Sequence, residues 1–234
     1  MSSTSLSSRI LYQDNHLIIV NKMPKELVQG DETGDITLAD LVKSYIKEAE
    51  HKPGNVFLGI PHRLDRPVSG VVIYAKTSKG LARMSDLFRL KEIDKRYWAI
   101  VEKMPEKPEG TLTHSLLKNH KQNKSYVVDD GRKGSKVATL HYKWVFSSDN
   151  YHLIEVNLET GRHHQIRVQL AHIGCIIKGD VKYGARRGNG DGSICLHSRR
   201  AKFTHPIKNV PIDVTAPCVD EPIWDFFENK IEKN

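Results

Sequence analysis

The chain has 234 residues, of which 38% are hydrophobic and 27% are charged. This composition is ordinary for a soluble globular protein, and a chain of this length buries enough surface to fold without a metal or a disulfide. It contains no apolar stretch long enough to span a bilayer, and residues 1–8 lack the basic start and apolar core of a secretory signal. An integral membrane protein is therefore excluded, and residues 1–9 are predicted to form a disordered or frayed tail.

Two apolar runs separated by a polar break predict a hairpin of strands over 10–22. Thr37 is a predicted N-cap, because the apolar residues after it have helical spacing. A β-branched apolar run predicts a buried strand over 70–75. A second amphipathic helix is predicted from Ser78, and a further strand over 96–101.

The next part of the chain mixes loops with strands. Proline, glycine and charged residues predict a surface loop over 105–110, and the polar stretch 119–134 predicts a long loop. Strands are predicted at 136–146 and 151–158, the second with loose alternation. The apolar spacing over 162–173 predicts a helix.

The Gly-rich stretch 184–192 predicts a flexible loop, followed by a strand near 193–204 and a short helix from Pro222. Strands dominate, and the helices interrupt them irregularly rather than in strict βαβ alternation. This order favours an α+β fold with a mostly antiparallel sheet over a doubly wound fold. Because no internal repeat or linker-like stretch occurs, we expect a single catalytic or binding domain over 10–234.

Basic residues are concentrated in one part of the chain. The formal net charge is +8, and the segment 162–208 alone has ten Lys/Arg against two acids. The ten bases are Arg162, Arg167, Lys178, Lys182, Arg186, Arg187, Arg199, Arg200, Lys202 and Lys208. A second stretch, 118–136, has six Lys/Arg against two Asp. Such clustering indicates a polyanionic partner, although a solvated basic face without a partner would have the same composition.

Three cysteines occur, Cys175, Cys195 and Cys218, and none lies in a Cys-x-x-Cys pattern. An odd number cannot pair completely, which favours a reducing cytoplasm over an oxidising compartment. We expect these residues to be small buried hydrophobic side chains rather than redox centres or metal ligands.

One carboxylate lies among basic residues in the run 61–70. His62, Arg63 and Arg66 surround Asp65 in the sequence, immediately before the predicted buried strand. Nearby guanidinium charge favours the ionised carboxylate. An ionised carboxylate on a loop stiffened by proline and glycine suits a nucleophile, or an electrostatic stabiliser of a cationic sugar. The alternative is a purely structural Asp–Arg pair in a turn.

Two further runs combine basic, amide and aromatic side chains. Arg162, Gln165 and Arg167 fall in the first turns of a predicted helix that follows Thr-Gly. Backbone amides at a helix start, together with guanidinium groups, form an anion or phosphate site. Tyr97 lies on a predicted strand between bases and apolar residues, and is either a core residue or a platform on which a nucleobase stacks.

Together these runs resemble the RluA family of RNA pseudouridine synthases over about residues 10–217. The matching pieces, in family order, are 10–22, 62–70, 95–99, 160–167, 179–184 and 196–206. Those at 62–70 and 160–167 match the family's HRLD and TGRxHQIR motifs. The resemblance implies one catalytic domain with the pseudouridine-synthase fold. In that fold a long, mostly antiparallel, bifurcated sheet is flanked by helices and loops, with an RNA cleft across the middle and no cofactor or metal.

The resemblance also implies roles for individual residues. Asp65 matches the catalytic aspartate, Tyr97 the active-site tyrosine, and Arg167 the arginine that ion-pairs with that aspartate. Arg63 matches an arginine that moves against the RNA when the target base is flipped out. The expected RNA contacts, some of them supporting only, are Arg63, Arg66, Arg162, Gln165, Lys182, Arg186, Arg187, Arg199 and Arg200.

The implied reaction is the isomerisation of specific uridines to pseudouridine in structured RNA, either tRNA or large-subunit rRNA. The uridine leaves its stack, and Asp65 attacks or stabilises C1′ of the ribose; attack at C6 of the base is the competing route. We expect a cytoplasmic monomer that binds RNA and no membrane. Many relatives carry an N-terminal RNA-binding domain; we expect none here, so binding is expected to come from the catalytic domain and its basic segment.

Three other functions can be compared with the sequence. His163, His164 and His172 lie on or near one predicted helix, but the last two are over two turns apart and no His-Glu-x-x-His pattern occurs, which argues against a metal site. The Gly-rich stretch matches neither a Walker A nor a dinucleotide fingerprint. A non-catalytic RNA-binding module would need the basic segment alone. Such a module would gain nothing from Asp65, a carboxylate between two arginines that would face a polyanion.

Overall fold

The computed structural model describes residues 5–30 and 34–232, which form two compact units. The first unit contains the described residues up to Asp94 together with Ser198–Pro217, and the second contains Lys95–His197 and the described residues from Cys218 onward. In chain order the strands are β1 (Ile10–Gln13), β2 (Leu17–Lys22), β3 (Ser69–Ala75), β4 (Asp94–Val101), β5 (Glu109–Asn119), β6 (Lys124–Val128), β7 (Lys136–Ser147), β8 (His152–Leu158), β9 (Leu196–Thr204) and β10 (Pro211–Thr215). The helices are α1 (Leu38–Ala49), α2 (Ser78–Leu90), α3 (Gln165–His172) and α4 (Pro222–Glu232).

The first unit is built on antiparallel strands that begin with the predicted hairpin. β1 pairs with β2, β2 with β3, and β9 with β10, while β3 and β9 are neighbours in the sheet. Asp14 closes the turn between β1 and β2, because its Oδ1 accepts the main-chain N–H groups of His16 and Leu17, each at 2.8 Å. The predicted hairpin over 10–22 is therefore confirmed.

Both faces of this sheet are covered, which explains why β2 and β3 are buried along their whole length. Successive strand residues point to opposite faces. Ile18 and Val20 pack in one core cluster with side chains of α1. Leu17 and Ile19 pack in another cluster, which includes a buried methionine of α2. Burial on both faces requires apolar residues at consecutive positions, and this is the pattern from which the buried strands are predicted.

The two helices of the first unit begin where the sequence predicts. Thr37 caps α1 in a capping box: its hydroxyl accepts the N–H of Asp40, whose carboxylate accepts the N–H of Thr37. α2 begins at Ser78, with Thr77 as its N-cap. It ends at Lys91, which takes a left-handed φ of 61°. Local side-chain and backbone geometry therefore sets these helix boundaries.

Five antiparallel strands of the second unit follow the order β4-β8-β7-β5-β6. α3 packs against β5 and β6. Leu116, Ala138, Val168 and Tyr183 form the core of this contact. The first part of β7 alternates between buried and exposed residues, so one face there lies on the core and the other faces solvent. The α+β class with a mostly antiparallel sheet is confirmed.

Two strands lie where the sequence predicts loops. β5 begins inside the loop predicted over 105–110, and β6 falls inside the long loop predicted over 119–134. The long-loop prediction is wrong because the solvent-facing residues of this hairpin are polar, which masks the alternation. Val127 of β6 packs against the core beneath α3, so the hairpin has an apolar side that fixes its register.

α3 is shorter than the helix predicted over 162–173. It covers Gln165–His172, and His164 before it has a left-handed φ of 53°. The chain therefore turns sharply ahead of the helix, and Arg162 lies outside it. The sequence also does not predict β10, whose Ile212 and Val214 are buried between exposed neighbours.

α4 begins at Pro222 as predicted, and it buries Trp224 and Phe227. Cys175 and Cys195 are buried, as expected, whereas Cys218, which was also expected to be buried, is partly exposed. Within the described ranges, no helix is both long and apolar enough to cross a membrane.

The N-terminal segment differs from the frayed tail predicted for residues 1–9. Residues 1–4 of that tail lie outside the described residues. Leu6–Arg9 form a 3-10 helix, and buried Arg9 donates to the carboxylate of Glu26 at 2.9 Å. A single domain over 10–234 stays a prediction.

Candidate active site

The candidate catalytic carboxylate lies on the loop of the first unit that precedes β3. Asp65 is partly buried, and its main-chain carbonyl accepts the N–H of Val68 at 3.0 Å. Val68, Ser69 and Gly70 are buried. The loop therefore leads from a partly accessible carboxylate directly into the core, as the sequence predicts.

The ammonium group of Lys22 fastens this loop to the end of β2. Its Nζ donates to three main-chain carbonyl oxygens, among them those of Arg66 at 3.1 Å and Val68 at 2.5 Å. The residue is fully buried. Burial lowers the pKa of Lys22 to about 7, and the charges of Glu26 and Asp65 act in the opposite direction. Three donated hydrogen bonds, the full capacity of an ammonium group, further favour its charged form.

His62 fastens the loop on the other side of Asp65. Its Nε2 accepts the main-chain N–H of Ile73 on β3 at 2.9 Å. Its ring stacks on Phe88 of α2, with ring centroids 4.6 Å apart. Because Nε2 is an acceptor, the neutral ring carries its proton on Nδ1. Lys22 and His62 thus hold the loop after and before Asp65, within the first unit.

Gly70 ends this loop and begins the close approach of β3 to β9. Its φ is +111°, a region that side chains other than hydrogen rarely allow. A Cβ atom at this position would lie 2.3 Å from the main-chain oxygen of Ser198. Glycine is therefore required here both by the backbone conformation and by the neighbouring strand.

The two arginines beside Asp65 have different surroundings. Arg66 donates to the main-chain oxygen of Lys25 at 3.1 Å and forms an ion pair with Asp35 at 2.7 Å. Both charged side chains of that pair are nearly half exposed, so the pair is weak and a phosphate can compete with Asp35. Arg63 is exposed. RNA contacts by either arginine stay predictions.

In the second unit, Arg167 forms a buried fork with Asp180. Arg167 Nε donates to Oδ2 at 2.7 Å and Nη2 donates to Oδ1 at 2.8 Å. The two side chains are 5% and 2% exposed. The expected pair of Arg167 with Asp65 stays a prediction. Asp180 had no role in the sequence-based expectations, although it is one of two acids among the ten bases of 162–208.

Tyr183 lies at the centre of a cluster around Arg167. Arg167 Cζ lies 5.1 Å and Lys124 Nζ lies 5.0 Å from the centroid of the Tyr183 ring, both within cation–π range. The Tyr183 hydroxyl accepts the N–H of Ser125 and bonds to Nδ1 of His164, each at 2.9 Å. Burial, with a smaller contribution from Arg167, lowers the pKa of His164 to about 2. The His164 ring is therefore neutral.

Gln165, whose support of RNA binding stays a prediction, forms hydrogen bonds inside the protein. Its side chain is buried. Its Oε1 accepts the hydroxyl of Thr160 at 2.8 Å and the N–H of Arg162 at 2.9 Å, and its Nε2 donates to the main-chain oxygen of Thr139 at 3.1 Å. We therefore assign Gln165 to holding the turn before α3, which leaves Arg162 exposed at the surface.

Tyr97 lies on β4, opposite Val156 of β8. It is 7% exposed, so the ring is enclosed by protein. Lys95 is two residues earlier on the strand, with its Nζ beside Gly161 of the turn before α3. Burial lowers the pKa of Lys95. The role of Tyr97 as a platform for the base stays a prediction.

Exposed basic residues of the second unit surround the stretch after α3. Those expected to contact RNA are Arg162, Lys182, Arg186 and Arg187. The loop 184–192, predicted to be flexible, is anchored by Asn189. Its Oδ1 accepts from Lys178 at 2.6 Å, and its Nδ2 donates to Ser193 at 3.2 Å. The loop that carries Arg186 and Arg187 is therefore held in place at Asn189.

The two arginines of β9 that are expected to contact RNA are already engaged. Arg199 donates to the main-chain oxygen of Ala216 at 2.7 Å. Arg200 forms a fork with the carboxylate of Asp213, and the pair is more than one third exposed. Their contacts with RNA stay predictions, and Arg199 in particular is tied to the fold.

The histidines considered as metal ligands are occupied in other ways. His163 and His164 stack with ring centroids 3.8 Å apart, and His172 packs edge-on against His114. Over the part of the chain that the structure describes, no group of three or more His, Cys, Asp or Glu is placed to hold a metal ion.

The chain is similar to proteins of a known enzyme family. Residues 16–172 match the family model described as RNA pseudouridylate synthase. The chain is 34% identical over 223 residues to ribosomal large subunit pseudouridine synthase C of Buchnera aphidicola subsp. Acyrthosiphon pisum, a match that covers 92% of this chain and 68% of the relative. It is 33% identical over 219 residues to ribosomal large subunit pseudouridine synthase D of Zymomonas mobilis subsp. mobilis, covering 88% and 68%.

Solved structures agree in fold. The human RNA pseudouridylate synthase domain containing 4 matches with a TM-score of 0.78 at 23% identity, covering 97% of this chain and 94% of that one. These comparisons favour the enzyme over a non-catalytic RNA-binding module, and the activity of the family is the isomerisation of uridine to pseudouridine in RNA. The chain belongs to the RluA family of RNA pseudouridine synthases.

Proposed function

We propose that this enzyme acts on specific uridines in structured RNA and that Asp65 is its catalytic carboxylate. The observation that carries the proposal is the attachment of the loop 62–70 on both sides of Asp65. Lys22 binds the carbonyls just after Asp65, and His62 binds β3 just before it. A carboxylate that acts on a sugar carbon must be held in a fixed position. A merely structural Asp–Arg turn would not require a buried ammonium group.

The proposed reaction exchanges one bond for another. The uridine leaves its stack, at a cost of a few kcal/mol, and enters the site. The C1′–N1 bond breaks while Asp65 attacks or stabilises C1′, the uracil turns, and C5 bonds to C1′. The proton on C5 leaves and N1 takes up a proton, so that atoms and charge balance. Attack of Asp65 at C6 of the base is the alternative route to the same product.

Tyr97 and Arg167 have supporting roles in this proposal. Tyr97 stacks on the base and assists the loss of the C5 proton, while Arg167 keeps Asp65 ionised and directed. Both roles rest on the match to the family's motifs. Arg63 binds the RNA next to the flipped base, and Arg66 does so after release from its exposed pair with Asp35.

Large-subunit rRNA is the proposed substrate class, because two of the relatives are named for the ribosomal large subunit. tRNA is the alternative. The phosphates of the RNA are proposed to bind exposed basic side chains of the second unit, namely Arg162, Lys182, Arg186 and Arg187. We further propose that the enzyme works as a monomer in the cytoplasm. A sedimentation measurement of the purified chain tests the monomeric state.

The catalytic assignment is tested with Asp65→Asn and Asp65→Ala. We expect both to abolish tritium release from rRNA labelled at C5 of uridine, while RNA affinity stays largely intact because the phosphate contacts lie elsewhere. Asp86→Asn is the matched control, since Asp86 is an exposed aspartate of the same unit, paired with Arg89 on α2. Activity retained in either Asp65 variant overturns the assignment.

The substrate is tested separately. Chemical mapping of pseudouridine in total RNA from a deletion strain, compared with the wild type, should reveal lost modification in large-subunit rRNA. Loss confined to tRNA would overturn the rRNA proposal and leave the role of Asp65 untouched.

A further inference from the structure

We propose that Asp180 and Tyr183 are positioning residues for Arg167, and that they set the catalytic rate without touching the RNA. The inference rests on the proposed function, in which Arg167 keeps the catalytic carboxylate ionised and directed. The contacts that support it lie wholly within the second unit, and the proposed mechanism uses none of them.

The fork between Arg167 and Asp180 fixes the guanidinium in two directions. Both carboxylate oxygens of Asp180 accept from it, at 2.7 and 2.8 Å. A bidentate pair defines the plane of the guanidinium, which a single hydrogen bond does not do. The fork uses two of the five N–H groups, so it orients the group without consuming its capacity to donate.

Burial makes this pair more demanding than an ordinary ion pair. Arg167 is 5% and Asp180 is 2% exposed at the side chain. A buried guanidinium without a partner carries a large desolvation penalty. Asp180 supplies the compensating charge from a short 3-10 turn at Val181–Tyr183, for which it is the N-cap. The fork therefore favours one orientation of the Arg167 guanidinium.

Tyr183 adds a second constraint. The guanidinium lies 5.1 Å from the centroid of its ring, so the ring limits movement out of the plane that Asp180 defines. The ring is itself fixed at its hydroxyl, which accepts the N–H of Ser125 and forms a hydrogen bond with Nδ1 of His164. Ser125 belongs to β6, and Lys124 beside it lies 5.0 Å from the same ring. The cluster thus ties Arg167 to the β5–β6 hairpin.

Neither residue is placed to bind a large polyanion. Asp180 is 1% and Tyr183 is 8% exposed, and a carboxylate would repel phosphate. Substitutions should therefore lower the rate of the bound complex and leave affinity unchanged. A misplacement of about 1 Å at a catalytic group costs on the order of 100-fold in rate.

The experiment measures single-turnover tritium release at saturating RNA, RNA affinity, and unfolding by urea. We expect Asp180→Asn to slow turnover by about 100-fold while the Kd changes by less than about threefold. Asp180→Glu keeps the charge and should recover part of the rate. Tyr183→Phe keeps the ring and should be slowed less than Tyr183→Leu. Asp191→Asn is the control, since Asp191 is the other acid of 162–208 and caps Ser193 instead.

A double-mutant comparison separates positioning from general stability. In an Arg167→Lys background, which keeps the charge and loses the fork, Asp180→Asn should cause little further loss of rate. Full additivity, or wild-type turnover by Asp180→Asn and Tyr183→Leu, overturns the inference. If Arg167→Lys itself turns over normally, the proposed role of Arg167 fails instead. Should Asp180→Asn not fold, Asp180→Glu decides: a rate equal to wild type despite the altered fork overturns the inference.

Discussion

Lys22 Nζ donates to the main-chain oxygen of Val68 at 2.5 Å, three residues beyond Asp65 in the chain. The residue is fully buried, and its ammonium group also binds the carbonyls of Met23 and Arg66. A residue that usually lies at the surface is here an internal cross-link between β2 and the loop 62–70. The geometry of the loop therefore depends on a charge that lies outside the motif.

Lys22→Met should destabilise the first unit and distort the loop. It removes the donor and leaves three main-chain carbonyl groups without this partner, one of them buried and two part-buried, each worth on the order of 1 kcal/mol. We expect the free energy of unfolding in urea to fall by about 3 kcal/mol and turnover to fall with it. Lys47→Met, at an exposed position on α1, is the control and should change neither. A Lys22→Met protein as stable as the control would contradict the role of the cross-link.

Gly70→Ala should lower the free energy of unfolding strongly, although it adds only one methyl group. The new Cβ would lie 2.3 Å from the oxygen of Ser198, and the φ of +111° is unfavourable for alanine. Because the contact is with backbone, β9 must move, and we expect a loss of about 3 kcal/mol or more in the free energy of unfolding. Gly54→Ala is the matched control, as a Cβ atom at residue 54 would have no neighbour within 4 Å. Equal stability of the two variants would show that β3 and β9 can separate without cost.

The parts of the fold that could be predicted are those whose signal is local. β2 and β3 are buried on both faces, so their residues form continuous apolar runs. Thr37 and Asp40 form a capping box that depends only on residues three apart. β6 could not be predicted in this way, because its buried residue, Ser125, is polar, and its apolar Val127 is only partly buried against the core.

The candidate site likewise contains residues that could be proposed from the sequence and residues that could not. Asp65 could be proposed from the sequence because its arginines and histidine are adjacent to it in the chain. Lys22 could not, since its burial depends on carbonyl groups more than forty residues away. The fork of Arg167 with Asp180 joins residues thirteen apart across a turn, and Gln165 is internal because a turn of the backbone at His164 shortens α3. Such contacts follow from tertiary structure rather than from spacing.

His164 should make stability depend on pH. Burial lowers its pKa to about 2 in the folded protein, against an ordinary value of 6.5. Below pH 6.5 the unfolded chain therefore takes up a proton that the folded chain does not, so the free energy of unfolding falls as the pH falls, by up to about 1.4 kcal/mol per pH unit.

This contribution can be isolated with His164→Asn, because asparagine tolerates the left-handed φ of 53° at that position. Other histidines also titrate, so the two proteins are compared by urea unfolding at pH 7, 6 and 5. As the pH falls, the free energy of unfolding should decrease more steeply for the wild type than for the variant. The difference in slope should correspond to the uptake of about one proton on unfolding. Parallel pH dependences would mean that His164 accepts a proton without disturbing Tyr183.

RNA binding should depend strongly on salt. If about six phosphates are neutralised, log K falls against log salt with a slope near −5. Arg186 and Arg187 are exposed on the anchored loop 184–192, and replacing both with alanine should weaken that slope by about 1 to 2. Lys47→Ala with Lys79→Ala, two exposed lysines outside both basic stretches, should leave it unchanged. A flat response in the wild type, or equal slopes in the two double variants, would show that the basic loop does not contact the RNA backbone.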